Sequence, residues 1–294
     1  VVLTGWRWQR LLNAVDLPVG FIEAVRLTFV GGFFNLVVPG STGGDVVKAY
    51  YAAKRTGRPT RAVLSVFVDR LIGVFTLVVV AAGALLFAGD GEGYRVARLT
   101  TFSLLGAGTL GMLLVFSTRV RRGLGVSKLI RKLPFQRVID ELSAAVRLYR
   151  GQPKELVFAF VISVANQLTI AGVVWWLAKA LSIPGVDLAA CFAFVPLINL
   201  LSAIPLVPGG WGVGELAFAY FFGQVQVPAT EAISLSVIFR LSFLLVNLPG
   251  GLLWILMRGQ APRDTMAATV EEATQQVGAV DPSTVAPEAP PDSP

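Results

Sequence analysis

Four apolar stretches, roughly 61–88, 96–117, 155–182 and 229–257, are each long enough to bridge the hydrocarbon of a bilayer. A crossing takes about 20 helical residues. No other feature restricts the fold so tightly, because backbone inside hydrocarbon must satisfy its own hydrogen bonds. The expected fold class is an all-α membrane protein, a polytopic helical bundle. Composition agrees. Charged residues make up 15% of the chain, hydrophobic residues 54%, and mean hydropathy is +0.69, whereas a soluble domain carries about 25% charged residues. Too few charges remain to cover a surface in water, so lipid must cover it.

Two further apolar stretches are broken at their centres. The first, about 21–55, is interrupted by Asn35-Leu36-Val37-Val38-Pro39-Gly40-Ser41-Thr42-Gly43-Gly44-Asp45. The second, about 188–224, is interrupted from Asn199 through Pro205, Pro208-Gly209-Gly210-Trp211-Gly212-Val213-Gly214 to Glu215. Proline followed by clustered glycine stops a helix and turns the chain. Each stretch is either one crossing with a trailing loop or a re-entrant hairpin that leaves by the side it entered.

Charge separates these readings. The formal net charge is +7, and ten cations against Asp140 and Glu141 fall within 119–154. Such a block could face nucleic acid, but between apolar runs it reads as a cytoplasmic loop under the positive-inside rule, lying against anionic lipid. With hairpins at both breaks, residues 1–20, 48–61, the 119–154 loop and the cations after 257 all share the cytoplasmic side. With single crossings the C-terminal end falls on the other side. Hairpins are therefore expected, in a multi-pass protein of the cell membrane. Residues 1–258 form the membrane domain. Residues 259–294, with six acids against Arg263, form a disordered, cytoplasmic, Pro/Ala-rich tail.

Several chemistries are excluded. There is no histidine, which removes histidine-ligated zinc and Ser–His triads, and Cys191 is the single cysteine, which removes disulfide frameworks. No Gly-x4-Gly-Lys-Ser/Thr loop is present, so ATP use has no support. No cofactor, nucleic-acid partner or catalytic constellation is expected. The opening Trp6-Arg7-Trp8-Gln9-Arg10 resembles an interfacial aromatic–basic cluster, which leaves open whether one or more spans precede it.

The two broken stretches look like copies. Asp45 precedes Arg70 by 25 positions, Glu215 precedes Arg240 by 25, and both members are offset by 170. Asn35…Pro39-Gly40 matches Asn199…Pro208-Gly209-Gly210 with a short insertion. Three spans separate the copies, and an odd number inverts the second relative to the first. Two inverted repeats with hairpin tips meeting near the midplane would follow, the broken-helix arrangement of transporters.

The run Asn-x3-Pro-Gly-x2-Gly-Gly-Asp, then Val68-Asp69-Arg70-Leu71-Ile72-Gly73, and the later Pro-Gly-Gly-Trp-Gly-Val-Gly-Glu with Phe239-Arg240 resemble the lysylphosphatidylglycerol synthase transmembrane-region family. The resemblance covers about 1–258. It implies a flippase-like membrane domain that moves a phospholipid or lipid-linked headgroup between leaflets, and membrane lipids, anionic phospholipid first, as partners. The soluble aminoacyl-transferase domain of fused members does not follow, so lipid aminoacylation is not implied. The alternative is a non-transporting subunit presenting lipid to a separate glycosyl- or aminoacyl-transferase.

The candidate substrate-binding residues are Arg70, Arg240, Asp45, Glu215, Asn35, Asn199, Gly43, Gly44, Gly210, Gly212 and Gly214. A charge at the depth of Arg70 or Arg240 costs about 2.5–3.5 kcal/mol, so each needs a partner, and Asp45 and Glu215 are the ones the repeat offers. The pairs either pin each hairpin structurally or also present guanidinium to a lipid phosphate. Asn35 and Asn199 are expected to tie down the bends, and the glycines to open half-helices. Mid-span Asn166 and Gln167 either bond a neighbouring helix or line a headgroup path. Asp69 is assigned to Arg26.

Overall fold

The computed structural model describes residues 1–37, 43–88, 92–116, 144–145, 147–203 and 212–258. Helices run in the order α1 (Val2–Asn13), α2 (Phe21–Val37), α3 (Gly43–Thr56), α4 (Pro59–Phe87), α5 (Glu92–Phe116), α6 (Pro153–Ala180), α7 (Leu188–Ser202), α8 (Val213–Gly223) and α9 (Ala229–Arg258). Three of these, Pro59–Phe87, Pro153–Ala180 and Ala229–Met257, are long and apolar enough to cross a membrane. The expected span 96–117 falls largely within α5, and most of the 119–154 loop and all of the tail lie outside the described residues.

Four corners of the fold are built alike. A residue in the left-handed region is followed by any residue and then proline: Asp16-Leu17-Pro18, Gly57-Arg58-Pro59, Ser182-Ile183-Pro184 and Gln226-Val227-Pro228. At three of them a 6→1 bond closes the helix end, from Leu17 N–H to Leu12 O (3.1 Å), Ile183 N–H to Ala178 O (3.0 Å) and Val227 N–H to Phe222 O (3.2 Å). This is the left-handed C-terminal stop, and the proline prevents the old helix from continuing. The corner after α1 recurs after α6, and the corner after α3 recurs after α8.

The helices between corners fold back in pairs. In α2–α3, Glu23 meets Arg55 at the open end. At the other end the backbones of Gly31 and Gly44 touch so closely that a Cβ on Gly44 would lie 1.8 Å from Gly31 O. In α7–α8, Phe194 lies tilted against Phe221 and edge-on to Phe222 (centroids 5.6 and 5.8 Å), while Ser202 reaches Gly214. Both pairs are antiparallel helical hairpins. The open end of α2–α3 shares an apolar cluster with Leu11, Leu12, Ala62, Ala159 and Met257; the open end of α7–α8 shares another with Leu85, Ala88, Ala178 and Val186.

Each hairpin's first arm leans on the long helix of the other half, α2 on α9 and α7 on α4. Small residues permit the first crossing: a Cβ on Gly250 would sit 2.0 Å from Phe29 O, and one on Gly32 would sit 1.9 Å from Asn247 Oδ1. Lipid tails are as apolar as leucine, so close backbone packing of this kind, rather than water exclusion, holds membrane helices together. Helix α1 runs antiparallel to α6, with Arg10 bidentate to Glu155 (2.7 and 2.8 Å) and Trp6 edge-on to Phe158. Tyr149 ties the start of this region down by donating to Leu11 O at 2.9 Å. Burial, with the charge of Asp69 second, raises its phenol pKa well above the ordinary value, so it stays a donor.

Candidate functional site

The sequence starts both inner arms in one way. Helix α3 begins Gly43-Gly44-Asp45 and α8 begins Val213-Gly214-Glu215, so a carboxylate occupies the third helical position in each. There it favours the positive end of the helix. From that position Asp45 reaches forward to Arg70 of α4, with Oδ2 accepting from Nε. Glu215 reaches Arg240 of α9, Oε1 lying 3.0 Å from Nε in ion contact without hydrogen-bond alignment between those two atoms.

The two pairs differ in their surroundings. The Arg70 side chain is 48% exposed and that of Arg240 is 14% exposed. Arg70 is therefore the more accessible of the two guanidinium groups. Arg240 is covered at closer range. A Cβ on Gly214 would come within 1.8 Å of its Nη2, which makes glycine the residue that lets the guanidinium lie on the α8 backbone.

The helix starts are also satisfied differently. Gly44 N–H donates to Asn35 Oδ1 at 2.8 Å, a bond across the hairpin. Gly212 N–H, in the left-handed region at φ 82°, donates to Glu215 Oε2 at 2.6 Å within its own turn. Asn199 is half-buried in α7, where its carbonyl accepts from Ala203 N–H at 3.0 Å. The residue of α7 that faces Gly214 is Ser202. Gly43 is the first, buried residue of α3. Gly210, with Pro39, Gly40 and Trp211, lies outside the described residues.

Behind Arg70 sits a constellation that sequence reading missed. Asp69 accepts from Arg7 Nε at 2.7 Å, and Lys48 Nζ lies 3.6 Å from its other oxygen. Arg7 also donates to Ser163 Oγ at 2.6 Å, and Lys48 rests over the Trp8 ring at 4.3 Å. All three charged side chains are at least nine-tenths buried. Asp69 is therefore held by Arg7 and Lys48; Arg26, its expected partner, is exposed. A single residue step, about 100° around the helix, points Asp69 and Arg70 to different faces, and the face of Asp69 is turned to α1 and α3. The opening aromatic–basic cluster likewise does not sit wholly at an interface, since Arg7 and Trp8 turn into the bundle. Lys48 could have been found from its position three residues after Asp45, one turn on along the same face.

In the second half the corresponding positions are apolar. Lys48 and Asp69 match Phe218 and Phe239 at the same offset of 170, and those rings are in contact at 6.1 Å. Gln167, one turn beyond Ser163 on α6, is buried with Oε1 lacking a hydrogen-bond partner among the described residues.

The family described as the lysylphosphatidylglycerol synthase TM region matches residues 1–250. The chain belongs to it. The lysylphosphatidylglycerol synthase TM region family thus accounts for nearly all of the described helices. A UPF0104 membrane protein of Pyrococcus horikoshii is 25% identical over 281 residues, covering 86% of this chain and 82% of that protein. Another, of Methanothermobacter thermautotrophicus, is 25% identical over 277 residues, covering 82% and 76%. No solved structure matches. The protein is an all-helical membrane protein of this family.

Proposed function

We propose that this chain is a non-enzymatic lipid carrier that moves a phospholipid or lipid-linked headgroup between the leaflets of the cell membrane. The observation that carries the reading is the matched pair of carboxylate–arginine contacts, Asp45–Arg70 and Glu215–Arg240, at the first turn of the inner arm in each half. Charges inside apolar helices are expensive and generally serve a path or a site. Guanidinium suits phosphate oxygens, and a carboxylate partner keeps it compensated when no lipid is present.

The hairpins are read as re-entrant and mutually inverted, with tips towards each other. Supporting this, the open end of α2–α3 keeps company with the starts of α4 and α6, while the open end of α7–α8 keeps company with their ends. The first of these ends carries Arg10, Arg55, Arg58 and Arg61, which favours placing it, the 119–154 loop and the C-terminal tail in the cytoplasm. Buried Ser163 and Gln167 on α6 would extend a polar track alongside.

The test is a leaflet-resolved assay in proteoliposomes with a headgroup-labelled phosphatidylglycerol. Protein-dependent exchange is expected, and both Arg70→Gln and Arg240→Ala should abolish it. Arg240→Ala combined with Glu215→Ala should recover folding without recovering exchange. No exchange by the folded wild type, together with support of a co-expressed lipid transferase, would instead favour a substrate-presenting subunit.

A further inference from the structure

We propose that the two halves divide the work, and that the anion-binding site proper is in the first: Arg70, backed by Lys48 and Arg7, takes the single negative charge of a phosphodiester. This rests on the lipid-handling reading above and names the part of the lipid that is held.

Three observations carry it. Counting side chains around Arg70, three cations (Arg7, Lys48, Arg70) face two carboxylates (Asp45, Asp69). One positive charge is left over in a low-dielectric setting, where uncompensated charge is costly. In the second half, among the described residues, the contact between Glu215 and Arg240 sets one carboxylate against one cation. Next, Arg70 is the accessible guanidinium, 48% exposed against 14% for Arg240, and its hydrogen-bonding partner among the described residues is Asp45 through Nε. A guanidinium has five N–H donors, so donors remain on this exposed side chain for a ligand. Finally, the buried ions are not required for docking a hairpin arm on its long helix. Phe218 against Phe239 fills the same two positions in the sister half, and apolar replacements of buried ion pairs are often neutral or stabilising.

Charge number then selects the ligand. A phosphodiester, as in phosphatidylglycerol, carries one negative charge and closes the balance. A phosphomonoester, at about −1.5 to −2 near pH 7, overshoots it. A zwitterionic headgroup brings its own cation and gains less.

The experiment uses the full chain in nanodiscs of phosphatidylcholine, with dihexanoyl phosphatidylglycerol, dihexanoyl phosphatidate, dihexanoyl phosphatidylcholine or inorganic phosphate added, and reads binding and the rise in thermal midpoint. Phosphatidylglycerol is expected to bind best. Arg70→Gln should weaken it about tenfold or more, the scale of one charge-assisted contact, and at least about tenfold more than Arg240→Gln does. Lys48→Met leaves Arg7–Asp69 and Asp45–Arg70 each balanced, so it should fold and still weaken phosphatidylglycerol binding. If Arg70→Gln is unstable, Arg70→Gln with Asp45→Asn replaces it.

Equal losses in Arg70→Gln and Arg240→Gln would overturn the division. So would unchanged binding in Lys48→Met. Tighter binding of phosphatidate, or an equal effect of inorganic phosphate, would overturn the phosphodiester assignment. If the wild type exchanges no lipid but phosphatidylglycerol still binds through Arg70, the transport reading falls and the site stands. If lipid moves while Arg70→Gln and Arg240→Gln bind alike, the reverse holds.

Discussion

The two halves of this bundle solve one packing problem by opposite chemistry. Each must fasten the inner arm of a hairpin to the long helix that follows it. The first half does so with Asp45–Arg70 plus a buried Lys48–Asp69–Arg7 cluster, the second with Glu215–Arg240 plus Phe218 on Phe239. The positions correspond residue for residue at an offset of 170. Two rings suffice where three charges stand in the other copy. What the comparison teaches is that buried ions are not the only way to fasten this arm, since two rings occupy the same positions in the sister half.

The largest contrast should appear at the matched pair Asp69 and Phe239. Replacing Asp69 by leucine strands Arg7 and Lys48 without their carboxylate and should cost about 3–5 kcal/mol. Phe239→Leu keeps the site apolar and should cost under about 1.5 kcal/mol. Relative stabilities in mixed micelles would compare them, and similar losses would mean that the cluster is not the buried unit described.

Glycines give the next contrast. Gly44→Ala drives a methyl into the backbone oxygen of Gly31 and should destabilise by about 1–3 kcal/mol. Gly214→Ala meets the far end of Arg240, a side chain able to move, so its stability should fall less while lipid exchange falls more. Stability and exchange measured side by side on both variants would show whether close approach serves structure in one half and Arg240 placement in the other.

A smaller effect is expected from the carboxylates themselves. Glu215→Ala removes a helix-start acceptor from Gly212 N–H, worth about 0.5–2 kcal/mol. In Asp45→Ala the α3 start keeps its bond from Gly44 to Asn35, so thermal midpoints should drop further for the first variant. The smallest effect lies at the corners. Gly57 and Gln226 share the left-handed conformation, φ 68° and 64°, and a Cβ on Gly57 meets nothing within 4 Å. Gly57→Ala should therefore cost about 1 kcal/mol and Gln226→Gly gain somewhat less, through backbone preference alone. Opposite signs would confirm that the corners are equivalent.

Much of this was legible in the chain. Apolar length, the Pro/Gly breaks and the recurring carboxylate–arginine spacing named the helical class and brought Asp45 to Arg70 and Glu215 to Arg240, because helix geometry and hydrocarbon leave few alternatives. Lys48, Arg7 and Ser163 escaped notice because their meeting depends on how α1, α3, α4 and α6 pack, and α1 is joined to α6 by no local pattern. The partner of Asp69 was misassigned for the same reason. Ser202, rather than Asn199, faces Gly214 because the second hairpin's inserted residues shift the register of α7. The corner motif was visible as Leu-Pro, Arg-Pro, Ile-Pro and Val-Pro dipeptides, but its left-handed residue is aspartate, glycine, serine or glutamine, and no single residue type announces it.

Those four corners set limits on how the molecule can change shape. Each couples a stop that fixes one helix end to a proline that fixes the next segment's first dihedral, leaving little freedom to flex there. Because these corners join each hairpin to the helices before and after it, they tie the hairpins to the frame, and α9, notched by Pro249-Gly250-Gly251 where α4 has no such break, is the more yielding of the two walls.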